Sequence, residues 1–293
     1  MESILNKSKL IKDVLKFRYR HSKRAIFLLK NENIVPIAQS VLSAIDECNE
    51  SVPPDNVVTL KQSPGKRIIF RINSSQFAQE SFVAKVFLLC RFKHRLKYHR
   101  MKYHRYAFNE AANLTIAAEQ GLNVPKVYGY GCTYGFSRLI KTSIVILEDL
   151  ARLTSVDELL RFNKADEEKC AKILNRTIPV FVNLYKARCH IVYILPDAIM
   201  LGSEGSNQDA FVLDFEYAKF HNKPSLEILM YEAAYFARSC PDFLTERIIY
   251  DWVAKLLDAV EIGDNTNRRK LIERFNYYFV IPHLSQKETV EIC

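Results

Sequence analysis

Glycine is scarce. The 293-residue chain holds only 8, too few for a glycine-heavy phosphate loop. Long apolar runs are missing as well. None reaches the roughly 18 residues that a membrane-crossing helix needs. The N-terminal stretch MESILNKSKLIKDVLKFRYRHSKR is interrupted by charge and has no h-region, so no secretion signal is expected. The 7 cysteines (Cys48, Cys90, Cys132, Cys170, Cys189, Cys240, Cys293) are scattered and odd in number, with no CxxC or Cys/His metal spacing. That pattern reads as reduced thiols in a cytoplasmic protein. Internal repeats and low-complexity segments are absent from the sequence.

What is present is core material and positive charge. Hydrophobic residues make up 48% of the chain and charged ones 26%, with 18 Phe and 15 Tyr. This is enough for two lobes, each with its own core. The net charge of +9 favours anionic partners: nucleic acid, anionic lipid or a phosphorylated saccharide.

Residues 1–48 read as helical, from Ile4, Leu10, Ile11, Val14, Leu15 and Phe17 and from a second run over 35–47 (VPIAQSVLSAIDE). NESVPPD (49–55) reads as a linker, because Pro53-Pro54 cannot continue a helix. Three strands follow near 57–60, 67–72 and 82–87, joined by short turns in an antiparallel meander. A helix is expected over about 105–120, closed by Gly121 and Pro125, and then strands near 126–131 and 143–148. Beyond about 150 the pattern is helical, over 155–162, 166–188, 224–239, 243–260 and 266–279. Short apolar runs at 190–195, 198–201 and 211–215 interrupt it, the last two joined by the polar turn GSEGSNQD. The division is therefore 1–54 as a helical extension and linker, 55–150 as a β-rich lobe, and 151–293 as a helical lobe carrying a hairpin.

This order resembles the protein-kinase-like fold: α+β, bilobal, with a small antiparallel β-rich N-lobe, a helical C-lobe and here a helical N-terminal extension. Short motifs carry the resemblance further. Ala84-Lys85 stands on the third strand, where kinases place the lysine that grips the α/β-phosphates, and Glu110 lies on the next helix, where its partner carboxylate sits. Glu148-Asp149-Leu150 falls at the hinge that receives adenine. Asp214-Phe215-Glu216 falls where kinases have Asp-Phe-Gly, whose Asp holds Mg²⁺. Within that superfamily the chain looks most like the bacterial lipopolysaccharide core kinases of the heptose/Kdo type, which are poor in glycine at the phosphate loop and often read Asp-Phe-Glu. NEAANLTIAAEQGLNVPKVYGYG (109–131) is also like theirs, and the resemblance covers roughly 55–240.

The resemblance implies ATP and Mg²⁺ as cofactors. A triphosphate needs a fixed cation, a divalent metal and a carboxylate for that metal, and Lys85 with Glu110 and Asp214 supplies the protein's share. One departure matters. Kinases carry His-Arg-Asp-x-x-x-x-Asn before the hairpin, and the matching stretch runs from His190 to Leu201. Anchored on His190, the Asn position falls on Asp197, which can still bind metal, and the catalytic Asp position falls on Val192, which cannot accept a proton. Asp197 and His190 are the candidate substitutes.

The stretch RFKHRLKYHRMKYHR (91–105) is densely basic, and the run from Lys16 to Arg24 extends it. Its expected partner is an anionic saccharide or lipopolysaccharide core, with peripheral contact to an anionic membrane face. Nucleic acid ranks lower, because no RNA- or DNA-binding module is recognisable. The leading expectation is phosphoryl transfer to a core sugar at the cytoplasmic face of the inner membrane. The alternative is a pseudokinase that binds nucleotide or a partner without catalysis. A choline- or aminoglycoside-type kinase comes third, since those sites are acidic and this chain is basic.

Overall fold

The computed structural model describes residues 2–21, 24–47, 55–74, 81–93, 95–96, 106–135, 138–203, 210–262 and 264–281. The chain divides into two compact units, residues 1–116 with 125–149, and residues 117–124 with 150–293.

The N-terminal unit is built on a 7-stranded sheet of β1 (Phe17–His21), β2 (Ala25–Leu29), β3 (Val57–Ser63), β4 (Arg67–Asn73), β5 (Ser81–Leu88), β6 (Val127–Tyr134) and β7 (Ile140–Glu148), in the spatial order β1-β2-β6-β7-β5-β4-β3. Every pairing is antiparallel. Period-2 alternation decides what each face carries. In β4, Ile68, Phe70 and Ile72 are buried while the residues between them are partly exposed. They join Phe27, Leu29, Ala84, Val86, Ile144 and Ile146 in one core, covered by Ile37, Val41 and Ile45 of helix α2 (Val35–Glu47). Gly131 is required in β6, because a Cβ there would overlap the Phe27 ring on the neighbouring strand. On the side of Lys85 lies helix α3 (Ala107–Glu119), where Phe108 meets Tyr130 of β6 edge-on at 5.6 Å between ring centroids. Helix α1 (Glu2–Val14) attaches through Lys7, whose ammonium donates to Asn113 of α3 at 2.7 Å.

The expected helical N-terminal extension is therefore corrected. Residues 2–14 and 35–47 are helical, but 17–29 form the hairpin of β1 and β2, an integral part of the sheet. The physical reason lies in FRYRH, where Phe17 and Tyr19 alternate with Arg18 and Arg20. A helix would scatter these residues around its circumference, whereas a strand puts the aromatics on the core side and the cations in water.

The C-terminal unit contains α4 (Val156–Phe162), α5 (Glu167–Asn175), α6 (Ile178–Lys186), α7 (Leu226–Ser239), α8 (Glu246–Ala259) and α9 (Asn265–Val280). Short strands β8 (Thr154–Ser155), β9 (Cys189–His190), β10 (Ile199–Leu201), β11 (Phe211–Val212) and β12 (Lys219–Phe220) lie among them. Ser155, Asp166 and Ser225 cap α4, α5 and α7 by accepting from backbone N–H groups in the first turn. The single helix expected over 166–188 is two. Pro179 has no N–H to continue the ladder and sits in the first turn of α6, where none is needed. Thr177 plugs the break: its hydroxyl donates to the Leu174 carbonyl at 2.7 Å and accepts from the Trp252 indole at 3.2 Å. Around Trp252, Phe181 and Phe236 form an aromatic core with centroids 5.2 to 5.4 Å apart. Most of the polar turn expected over 202–209 lies outside the described residues.

Candidate functional site

Lys85 is the fifth residue of β5, on the α3 side of the sheet, with Val83 and Phe87 as its same-face neighbours. It is 7% exposed. Glu110, in the first turn of α3, is 1% exposed and lies 2.5 Å from the Lys85 ammonium. A carboxylate in the first turn also suits the positive end of the helix. Tyr106 sets the start of α3: its backbone is left-handed (φ 53°), its carbonyl accepts from the Glu110 N–H, and its ring stacks on Phe87, two residues beyond Lys85. Strand and helix are thus tied together around the ion pair. Breaking a buried pair of this kind costs about 3–5 kcal/mol, because the remaining charge is stranded.

At the end of β7, Glu148 pairs its backbone with Lys126, and its carboxylate accepts from the Lys126 N–H at 3.2 Å. The Asp149 side chain is covered, and its carboxylate accepts from Arg71 Nε at 2.6 Å and from the Ser81 hydroxyl at 2.7 Å. The chain that leads to Leu150 is therefore fixed to β4 and β5 by a side chain that the sequence reading passed over. Leu150 itself is buried.

In the C-terminal unit β9 pairs with β12, so that His190 lies opposite Lys219. His190 is 1% exposed, and its Nδ1 lies 3.1 Å from the Glu232 carboxylate on α7. The same carboxylate oxygen accepts from the Ile191 N–H at 2.6 Å. Glu232 was also missed. Its signal is one acid inside the apolar run ILMYEAAYFA, a position that helical spacing buries. Val192 is 4% exposed. The neighbouring Cys189 is no nucleophile, since burial pushes its thiol well above the ordinary cysteine range.

A short 3₁₀ turn, Pro196–Ala198, then leads into β10, which pairs with β11 through Ile199↔Val212 and Met200↔Phe211. The Leu213 N–H donates to the Ala198 carbonyl at 2.8 Å. Asp197 and Asp214 come immediately outside that bond, one before β10 and the other after β11, and both are exposed. Asp214 has left-handed backbone (φ 60°, ψ 52°), a conformation that costs a non-glycine residue about 1–2 kcal/mol. The buried Phe215 anchors the 3₁₀ turn that follows. Two carboxylates at one hairpin mouth suit Mg²⁺, which binds one or two carboxylates together with substrate phosphates. Among the described residues no group of three or more His, Cys, Asp or Glu makes a self-sufficient metal site.

No protein-family model and no curated protein matches the sequence. Among solved structures the chain is similar to one described as "WaaP in complex with acyl carrier protein", at 14% identity and a TM-score of 0.52, with 87% of this chain and 99% of that chain covered. The fold is protein-kinase-like. The positions that the sequence resemblance singles out are Lys85 with Glu110, Glu148 to Leu150, and Asp197 with Asp214. Of the basic stretch 91–105, residues 94 and 97–105 lie outside the described residues. Arg91 and Lys93 are exposed, and Arg95 donates to the Leu89 carbonyl.

Proposed function

We propose that this protein is an ATP- and Mg²⁺-dependent phosphotransferase of the lipopolysaccharide core kinase type, acting on a sugar hydroxyl of the core. The observation that carries the proposal is the buried Lys85–Glu110 pair, 2.5 Å apart. A well-packed apolar pair would stabilise the unit as well or better, so the ammonium is explained by what it binds. Lys85 holds the phosphates of the nucleotide, and Glu110 fixes the direction of the lysine. The backbone groups of Glu148 and Leu150 meet the adenine, and Asp149 keeps that segment in place. Asp197 and Asp214 hold the Mg²⁺, which when bound neutralises charge on the transferred phosphoryl group. His190 positions the loop through Glu232. The core sugar as acceptor, and a place at the cytoplasmic face of the inner membrane, rest on the motif resemblance and the net charge of +9. The acyl carrier protein in the WaaP structure makes a carrier protein of that kind a further candidate partner.

One observation favours a second reading, a pseudokinase. The general-base position falls on Val192, which is buried. Losing a general base costs about 10²–10⁴ in rate, but phosphoryl transfer depends mainly on positioning and charge, and the exposed Asp197 is the acid nearest to that role in sequence.

Thermal unfolding with ATP and Mg²⁺ tests the nucleotide site. At about 100 times its Kd the ligand adds roughly 2.7 kcal/mol, a rise of several degrees in Tm. The rise is expected to need the metal and to vanish in Asp214→Ala and Lys85→Ala. No rise in the wild-type protein would overturn the nucleotide site. A rise without phosphate release or transfer in a turnover assay would select the pseudokinase.

A further inference from the structure

The sheet of the N-terminal unit is electrically polarised along its strands. At one end lie the β1–β2 turn, the β3–β4 turn, the exit of β5 and the β6–β7 turn. Backbone bonds join them into a continuous rim: Tyr134 N–H to the Arg24 carbonyl at 2.7 Å, Leu88 N–H to Lys66 at 2.8 Å, and Leu89 N–H to Lys141 at 2.9 Å. Arg24, Lys66, Arg91, Lys93, Arg138 and Lys141 are exposed on this rim. The described rim segments 20–21, 24–25, 61–68, 88–93, 134–135 and 138–142 contain no Asp or Glu. The opposite end of the same strands is mixed: Glu32, Asp55, Glu148 and Asp149 stand there beside Lys16, Lys30, Arg71 and Lys126, so its charges largely offset one another. Phe92 projects from the basic end between Arg91 and Lys93, and at 63% exposure it is the barest large apolar side chain described in this unit.

We propose that the basic end of this sheet docks on an anionic lipid surface, with Phe92 inserted among the headgroups. The proposal supplies the membrane contact of the kinase reading, but it rests on the charge distribution and stands without nucleotide chemistry. The pattern fits lipid best. Cations spread along one rim neutralise a charged plane, each adding about 1 kcal/mol near such a surface, or roughly a fivefold gain in partition. A single bare aromatic bracketed by cations belongs at a headgroup boundary. Non-specific nucleic-acid surfaces use several stacking aromatics, and a protein interface closes over a larger apolar centre.

The test uses sedimentation with vesicles of phosphatidylcholine alone and with phosphatidylglycerol added, without nucleotide. Wild type is expected to bind only the anionic vesicles, and less as salt rises. Replacing Lys66, Arg91, Lys93, Arg138 and Lys141 together by Gln should lower the partition coefficient at least about a hundredfold. The matching replacement of Lys164, Lys186, Lys223, Lys255 and Lys270, exposed on the C-terminal unit, should lower it far less. Circular dichroism checks that both variants fold. Phe92→Trp adds a second indole beside the buried Trp252, and its emission should shift to the blue on anionic vesicles. Equal losses in the two sets of variants, or no blue shift, would overturn the proposal. So would retention on an acidic protein or on single-stranded DNA with no vesicle binding.

Discussion

Glu232 is a buried acid whose carboxylate oxygen serves both His190 Nδ1 and the Ile191 N–H. Its removal leaves a buried donor without an acceptor, which costs about 3 kcal/mol. Glu232→Ala should therefore lower the Tm by roughly 6–12 °C, and Glu232→Gln, which keeps a carbonyl acceptor, by less. A fall below 1 °C in the alanine variant would mean that the loop is held by something else. His221 gives a prediction about pH. Its Nε2 is buried with no hydrogen-bond partner among the described residues. Burial first, then His190 and Lys219, push its pKa below the usual 6.5. The unfolded chain then binds this proton more readily than the folded one, so stability falls as pH drops through and below 6.5, and is unaffected well above it. Thermal melts at pH 7.5, 6 and 5 should show a steeper decline for wild type than for His221→Gln. Parallel curves would dismiss the effect.

The elements were legible where one signal was strong and unopposed. The meander of β3, β4 and β5, the helix bearing Glu110 and the strands around it follow from alternation and from Gly121 and Pro125. The placement of Lys85 and Glu110 follows from these, because period 2 aims Lys85 away from Phe82, Ala84 and Val86, and helix α3 begins three residues before Glu110. The β1–β2 hairpin was harder to read. Its alternation spans only Phe17–His21, and its second strand, AIFLL, is a continuous apolar run that fits a helix or a buried strand equally well. The hydrogen bonds of Asp149 and Glu232 were not legible at all, since each joins residues far apart in the chain. The relation of Asp197 to Asp214 lies between these cases. Both were singled out singly, but their place on either side of the Ala198–Leu213 bond needs the hairpin register.

At the scale of the molecule, the N-terminal residues are part of the core and not an appendage. Removing residues 1–54 would strip Phe27, Leu29, Ile37, Val41 and Ile45 from Phe70, Ala84, Val86, Ile144 and Ile146. The shortened chain should come out insoluble or bind ANS strongly, as an exposed apolar face does. A soluble monomer with a cooperative melt would contradict the shared core. The sheet's charge arrangement also has a consequence before any contact is made. Unopposed cations at one end of the strands and offsetting charges at the other give the N-terminal unit a permanent moment along the strand direction. Near a charged plane that moment feels a torque, so the unit turns its basic rim forward while still within about a Debye length, ~8 Å at physiological salt. Encounter is then a matter of alignment as much as attraction, and a productive first collision becomes more frequent without any change in how tightly the two surfaces hold.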